Sequence, residues 1–283
     1  MSDGRSAARV PLPTAPQPLP VPVIDAHTHL ASTARHSGRT VAEILAMAGA
    51  VGVSQVVDVG CDVASSAESV GFADSFSGVV ACVAIHPNDA ARLGDALEAG
   101  LADLEALITS SSRVRGIGET GLDYYRTTDP AAQELQKLAF ARHISWAKKY
   151  RLPLVIHDRD AHADILAMLD AEGAPEKVMM HCFSGDVAFA RDCLERGFWL
   201  SFPGTVTFKA NEPLREALDI APAERILVET DAPYLTAMPH RGKPNGPYLI
   251  PNTVRFMAER RGAGLVEFCA QLTANAVVVF GEW

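Results

Sequence analysis

The sequence predicts an α/β protein built as a single (β/α)8 TIM barrel. Eight short apolar runs alternate with longer segments of helical periodicity. Six residues of metal-ligating type stand at or just past the ends of five of those runs, where one mouth of such a barrel gathers side chains that are distant in the chain. The length of 283 residues, 48% of them hydrophobic, suffices for one barrel around one core.

The strands read in order as VPVIDAH (21–27), SQVVDVG (54–60), VVACVAIH (79–86), VRGIGE (114–119), LPLVIHD (152–158), KVMMHCF (177–183), FWLSF (198–202) and RILVET (225–230). Each is a nearly unbroken apolar run, the pattern of parallel strands covered on both faces. Helical segments separate them. Thr40 is placed to cap VAEILAMAGA, and Pro130 opens a long helix whose apolar stripe is expected to use Leu135, Leu138, Ala139, Ile144 and Trp146. Asp160 precedes AHADILAMLDAEG, which stops at Gly173, and a last helical region runs through VRFMAER and LVEFCAQLTANAVVVF. No repeat beyond the βα rhythm and no internal linker appear, so residues 21–283 read as one domain. Residues 1–20 include a proline-dense stretch from Pro11 onward and read as a flexible Pro-rich tail.

Composition narrows the function. A net charge of −9 argues against a surface that coats nucleic acid, while leaving room for a local basic pocket. Cys61, Cys82, Cys182, Cys193 and Cys269 are scattered without CxxC spacing, as expected of reduced thiols in a cytoplasmic protein. No apolar run reaches the roughly 18–20 residues that a membrane helix needs, and no secretory signal is evident. The chain is expected to act as a monomer away from membranes.

The chemistry lies in His27, His29, Glu119, His157, His181 and Asp231. In an extended backbone, His27 and His29 point to the same side, and neutral imidazole binds divalent metals well. An HxH pair alone is a weak signal, since surface and core histidines produce it often. Four further candidate ligands at matching strand ends change its weight. Glu119, in RGIGETGLDYYR, is placed to bridge two cations, which at ~3.5–4 Å apart can stabilise in-line displacement at phosphorus. Asp231, in LVETDAPYL, can bind a cation through one oxygen and take a proton from water with the other; a turn cap before Pro233 is its structural alternative. Glu229 is expected on the opposite strand face, supporting a ligand rather than binding. His86, in AIHP, has no ligand slot in this scheme and is read as a substrate contact.

The motifs DAHTHL, AIHP, GETGLDYYR, VIHDRDA, HCFSG, TFK, ETDAPYL and RGKPNGP together resemble the TatD family of metal-dependent deoxyribonucleases, in the amidohydrolase superfamily, across about residues 22–280. The resemblance implies one or two divalent metal ions per chain (Mg, Mn or Zn) and phosphodiester hydrolysis, trimming single-stranded DNA from its 3′ end. It implies that His27 and His29 bind one metal, that His157 and His181 bind the second, that Glu119 bridges them, and that Asp231 completes the first site and acts as base. Ala31 departs from the family's habit of an Asp directly after HxHL.

Around the same mouth, Arg126, Arg159, Lys209, Arg241 and Lys243 are candidate phosphate contacts. Ser184, with Gly185, is a candidate helix start that would accept an anion. Tyr124, Tyr125, Phe183 and Phe208 are candidates to stack on a base. Two other readings stay open: a hydrolase of an amide, ester or aminoacyl-tRNA bond, and a non-catalytic metal-binding scaffold.

Overall fold

Strand order in the sheet repeats chain order. In the computed structural model, which describes residues 11–283, eight parallel strands form one sheet. They are β1 (Val23–Thr28), β2 (Val53–Val59), β3 (Val79–Val83), β4 (Val114–Asp123), β5 (Leu154–Arg159), β6 (Val178–Met180), β7 (Trp199–Phe202) and β8 (Ile226–Val228). Helices fill the connections: α1 (Leu30–Ser37), α2 (Val41–Ala50), α3 (Val63–Ser75), α4 (Pro87–Leu93), α5 (Leu97–Ile108), α6 (Pro130–Tyr150), α7 (His162–Glu172), α8 (Val187–Glu195), α9 (Glu212–Ile220), α10 (Ile250–Arg260) and α11 (Leu265–Phe280). The two ends of the sheet meet through backbone and side chain. His27 O accepts the Asp231 N–H at 3.0 Å, and Ala232 O accepts the His29 N–H at 2.9 Å. Buried Asp25 accepts the Thr230 N–H at 2.9 Å and its hydroxyl at 2.5 Å.

The unbroken apolar runs have a direct cause. Alternate strand residues enter two different clusters. Ile24, Val57, Val80, Val155, Met179, Trp199 and Leu227 pack together inside the ring, with Val279 and Phe280 of α11. Their neighbours Val23, Val56, Val79, Leu154, Val178, Leu200 and Ile226 pack outward against the helices. Both faces are dry, so both must be apolar.

Helix ends follow local chemistry. Thr40 and Glu43 form a reciprocal capping box on α2, and Asp129 caps α6 ahead of Pro130. Leu138 departs from its expected place: it is 42% exposed, because the buried stripe of α6 runs through Gln136, Ala139, Phe140, His143, Ile144 and Ala147. Asp160 does not cap α7; the Asp158 carboxylate takes the Ala161 N–H at 3.3 Å instead.

The described part of the proline-dense stretch also differs from a flexible tail. Leu19 is buried and its N–H donates to Val51 O at 3.0 Å. The Tyr248 hydroxyl donates to Pro13 O at 3.0 Å, and Arg255 donates to Pro18 O at 2.9 Å. Prolines lack a donor but keep the carbonyl, so an extended proline-rich strand offers a row of acceptors. Residues 1–10 of the expected tail lie outside the described residues. Among the described residues, no single helix is long and apolar enough to cross a membrane.

Candidate metal centre

The strand ends deliver their side chains by different local devices. On β1 the register slips between Asp25 and Thr28, and His27 comes to lie fully buried in the ring. On β4 it slips between Ile117 and Thr120, a bulge that re-aims Glu119. The flanking glycines allow it. A Cβ at Gly118 (φ 154°) would lie 2.5 Å from the Val155 Cβ, and one at Gly121 (φ 140°) 2.0 Å from His157 O. β4 continues to Asp123, so Glu119 stands inside its strand rather than at its end. Asp231 lies beyond β8 in a left-handed conformation (φ 51°), which Asp tolerates better than most residues.

Glu119 is the hub. Its Oε2 faces His27 Nε2 at 3.6 Å and His29 Nε2 at 3.9 Å. Its Oε1 faces His157 Nδ1 at 2.6 Å, His181 Nε2 at 3.4 Å and His86 Nε2 at 3.4 Å. The two oxygens of one carboxylate thus address two different sets of imidazoles. Asp231 Oδ1 lies 3.4 Å from His29 Nε2 and 3.9 Å from His27 Nε2. All six residues expected as ligands therefore meet at one place. His27, His29 and Glu119, and separately His27, His181 and Asp231, each bring their ligand atoms within 4.8 Å of one another.

Hydrogen bonding sets which nitrogens are free. His29 Nδ1 donates to Val59 O at 2.8 Å, leaving the Nε2 lone pair aimed inward. His181 Nδ1 faces Glu229 Oε1 as an ion-pair contact at 2.9 Å rather than a hydrogen bond, which leaves Nε2 toward the centre. His157 Nε2 lies 3.3 Å from Asp123 Oδ2, so its Nδ1 is the inward atom. His86 is the exception. Its Nδ1 accepts the Asn88 N–H at 3.1 Å, which puts the proton on Nε2. A neutral imidazole has one lone pair to give, so His86 offers the centre an N–H donor rather than a ligand.

The electrostatics describe a site made for cations. Burial pushes every one of these histidines toward the neutral form. His27, stacked on His181 with ring centroids 3.5 Å apart, stays well below the usual range through burial and the neighbouring His181. For His157, burial is overcome by Asp123 and Glu119, which hold it up at about 9. For His181, burial is overcome by Glu229 and Glu119, and for His29 by Cys61 and Asp231; both rise well above the ordinary value. Burial opposes ionisation of Glu119 too, but His181, His86 and His157 pull its pKa well down. The carboxylates thus recruit protons where no other cation is at hand. Imidazole nitrogens and carboxylate oxygens converging in a dry, anionic cleft fit one or two divalent ions.

Sequence reasoning missed one buried carboxylate of this cleft and misplaced another. The first, Asp123, also accepts Asn88 Nδ2 at 2.9 Å and the Arg126 N–H at 2.8 Å; its signal is a position four residues beyond Glu119 on the same strand. The second, Glu229, was expected on the opposite face from Asp231. It lies on the inward side, two residues after Leu227 of the inner cluster, with Oε1 2.9 Å from His181 Nδ1. There it accepts the Ser201 hydroxyl at 2.6 Å and the Cys182 N–H at 2.9 Å.

The candidate substrate contacts scatter. Arg159 stacks over Tyr125 with 3.9 Å from Cζ to the ring centroid, and Arg126 is exposed beside it. Arg241 lies over Phe208, and Lys243 is exposed on the same long loop after β8. Lys209 differs from expectation: it lines a separate cavity with Thr207, Arg215, Phe256, Glu259 and Arg260. Ser184 is exposed but starts no helix. Asp186 caps α8 and its carboxylate takes the Phe189 N–H at 3.0 Å, which fills the expected anion position with a negative charge.

Comparison with known proteins bears on this geometry. A family model described as TatD related DNase matches residues 24–281. The chain belongs to this family. It is 44% identical over 262 residues to a Mycobacterium tuberculosis protein described as an uncharacterized metal-dependent hydrolase TatD, covering 92% of this chain and 98% of that one. It is 34% identical over 245 residues to a Cronobacter sakazakii protein named 3′-5′ ssDNA/RNA exonuclease TatD, covering 84% of this chain and 90% of the relative. Among solved structures, the TatD homolog YJJV of Escherichia coli K12 superposes with a TM-score of 0.85 at 26% identity, covering 92% of this chain and 98% of that one. As a TatD-family member the chain is a metal-dependent hydrolase on a TIM barrel.

Proposed function

We propose that this hydrolase cleaves phosphodiester bonds at the ends of single-stranded DNA, releasing nucleotides from the 3′ end, with Mg, Mn or Zn in the cleft. The observation that carries the reading is Glu119, whose two oxygens address two sets of imidazoles. In this scheme His27, His29 and Asp231 would hold one cation, and His157 and His181 the other. Glu119 would bridge them. Such cations supply Lewis acidity at a phosphoryl oxygen and lower the pKa of a bound water.

The chain's own groups do the rest. Asp231 stands at the rim, oriented by its backbone bond to His27 O, and takes the proton of the attacking water. His86 presents its Nε2–H toward the centre and donates to a non-bridging phosphate oxygen. Arg126 and Arg159 hold the neighbouring phosphates, and Arg241 and Lys243 flank the approach from the β8 side. An amide or ester substrate without phosphate would leave those arginines without a task.

The test is nucleotide release from single-stranded DNA with added Mg²⁺, Mn²⁺ or Zn²⁺. Glu119→Ala and Asp231→Asn should reduce release to background. The reading is abandoned if the wild type releases nothing with any of the three metals, or if both variants match it.

A further inference from the structure

Aromatic rings at the barrel mouth are of two kinds. Some are already committed. Phe183 is buried, the Tyr124 hydroxyl donates to Asp164 at 2.6 Å, and Phe208 is half-buried. Two are open: Tyr125 is 61% exposed and Tyr234 is 51% exposed. Leaving a large ring in water forgoes burial that the core would reward, and both open rings stand beside the metal centre.

Tyr234 is fixed directly to residues of that centre, and Tyr125 is joined to it through Arg159 and Asp123. Tyr234 N–H donates to Asp231 O at 2.9 Å, and its ring centroid lies 6.4 Å from that of His29. On the other flank, Asp123 and Arg159 are register partners on β4 and β5, and Asp123 touches His157. Tyr125 follows Asp123 by two residues, and its ring lies against the Arg159 guanidinium. The pair is a flat surface carrying a positive charge. The Tyr234 ring stands at the β1–β8 side, and the Tyr125 ring at the β4–β5 side.

We propose that Tyr234, and Tyr125 backed by Arg159, form two base-stacking surfaces that hold the unpaired bases on either side of the phosphodiester being cut. This rests on the phosphodiesterase reading above and names the device by which that site would hold a single strand irrespective of base identity. Every base has a π-face, so stacking binds without reading sequence. Paired bases are already stacked and cannot enter. The charge of −9 weakens long-range attraction to phosphate, so stacking has more of the affinity to provide.

The experiment compares a short oligothymidylate with one of equal length whose two 3′-terminal residues are abasic tetrahydrofuran units. In the wild type, the abasic ends should lower kcat/KM by roughly ten- to a hundred-fold. Tyr125→Ala and Tyr234→Ala should each shrink that ratio, mainly by raising KM on the normal oligomer, and Tyr234→Trp should restore it. A wild type that cuts both oligomers equally, or alanine variants that keep the full ratio, overturns the stacking proposal and leaves the phosphodiesterase reading standing. A wild type that cuts neither overturns both.

Discussion

His157 and His143 are both packed into the barrel wall, and burial pushes both toward the neutral form, yet they end at opposite extremes. His143 lies on α6, behind the strands. Its Nδ1 donates to Ala139 O at 2.6 Å and its Nε2 accepts the Ile85 N–H at 3.1 Å. Burial dominates, the Ala139 carbonyl opposing it only in part and nearby Arg142 adding to it, and the pKa is driven down to about 4. His157 stands between Asp123 and Glu119, and its pKa is held up at about 9. Burial sets the sign of a shift only where no charge answers it. The first histidine is a neutral strut that fixes the backbone just before His86. The second belongs to a centre whose carboxylates seek positive charge.

The largest test of that contrast removes its source. Glu119→Ala should cost more than about 100-fold in activity, beyond what losing a ligand's supporting partner costs. It should also lower the pKa of His157, read by NMR titration of the metal-free protein. An unmoved His157 would mean that Asp123 alone holds the proton.

Asp123→Asn and Glu229→Gln come next. Each keeps the shape and removes the charge behind one imidazole. Metal affinity, measured by calorimetry, should fall by about 10- to 100-fold in each. A smaller loss in both would reduce these carboxylates to packing.

The third effect is protonic. Binding a cation at His157 Nδ1 expels the proton held below about pH 9. Affinity should therefore rise with pH across 6 to 9, by at most roughly ten-fold per unit for each proton released. Calorimetry in buffers of different ionisation enthalpy counts those protons, and a pH-independent affinity would contradict the scheme.

The effect farthest from the metal centre concerns the strut. The folded pKa of His143 is depressed to about 4 from an ordinary 6.5. The unfolded chain thus binds the proton first. The stability that neutral His143 contributes is complete above about pH 6.5 and is lost as pH falls toward 4, a change of ~3 kcal/mol. His143→Gln should be less stable than wild type at pH 7, and the gap should shrink toward pH 4. A gap constant across that window would show that His143 acts by shape alone.

The eight strands and six ligand-type residues were legible because parallel strands buried on both faces write continuous apolar runs, and such a barrel gathers the residues at their C-terminal ends around one mouth. Harder to read were features that depend on distances across the ring. Asp123 and Glu229 matter through His157 and His181, their neighbours in space, which no local pattern reports. Tyr234 stands out only once its exposure is known. Lys209 and Ser184 looked equivalent to Arg159 in the sequence, and the paths of their loops separate them. Residues 11–20 read as loose from their prolines, although the carbonyls of Pro13 and Pro18 find donors on Tyr248 and Arg255.

The meeting of β1 and β8 also sets a schedule for synthesis. His27 comes near the start of the chain, and the backbone N–H that its carbonyl accepts belongs to Asp231. One contact thus joins an early candidate ligand to the last one. A nascent chain still lacking Asp231 can hold the early histidines but not the finished centre. Hydrolytic competence would therefore wait for the final strand to dock beside the first, and a polypeptide stalled short of that strand would stay inert.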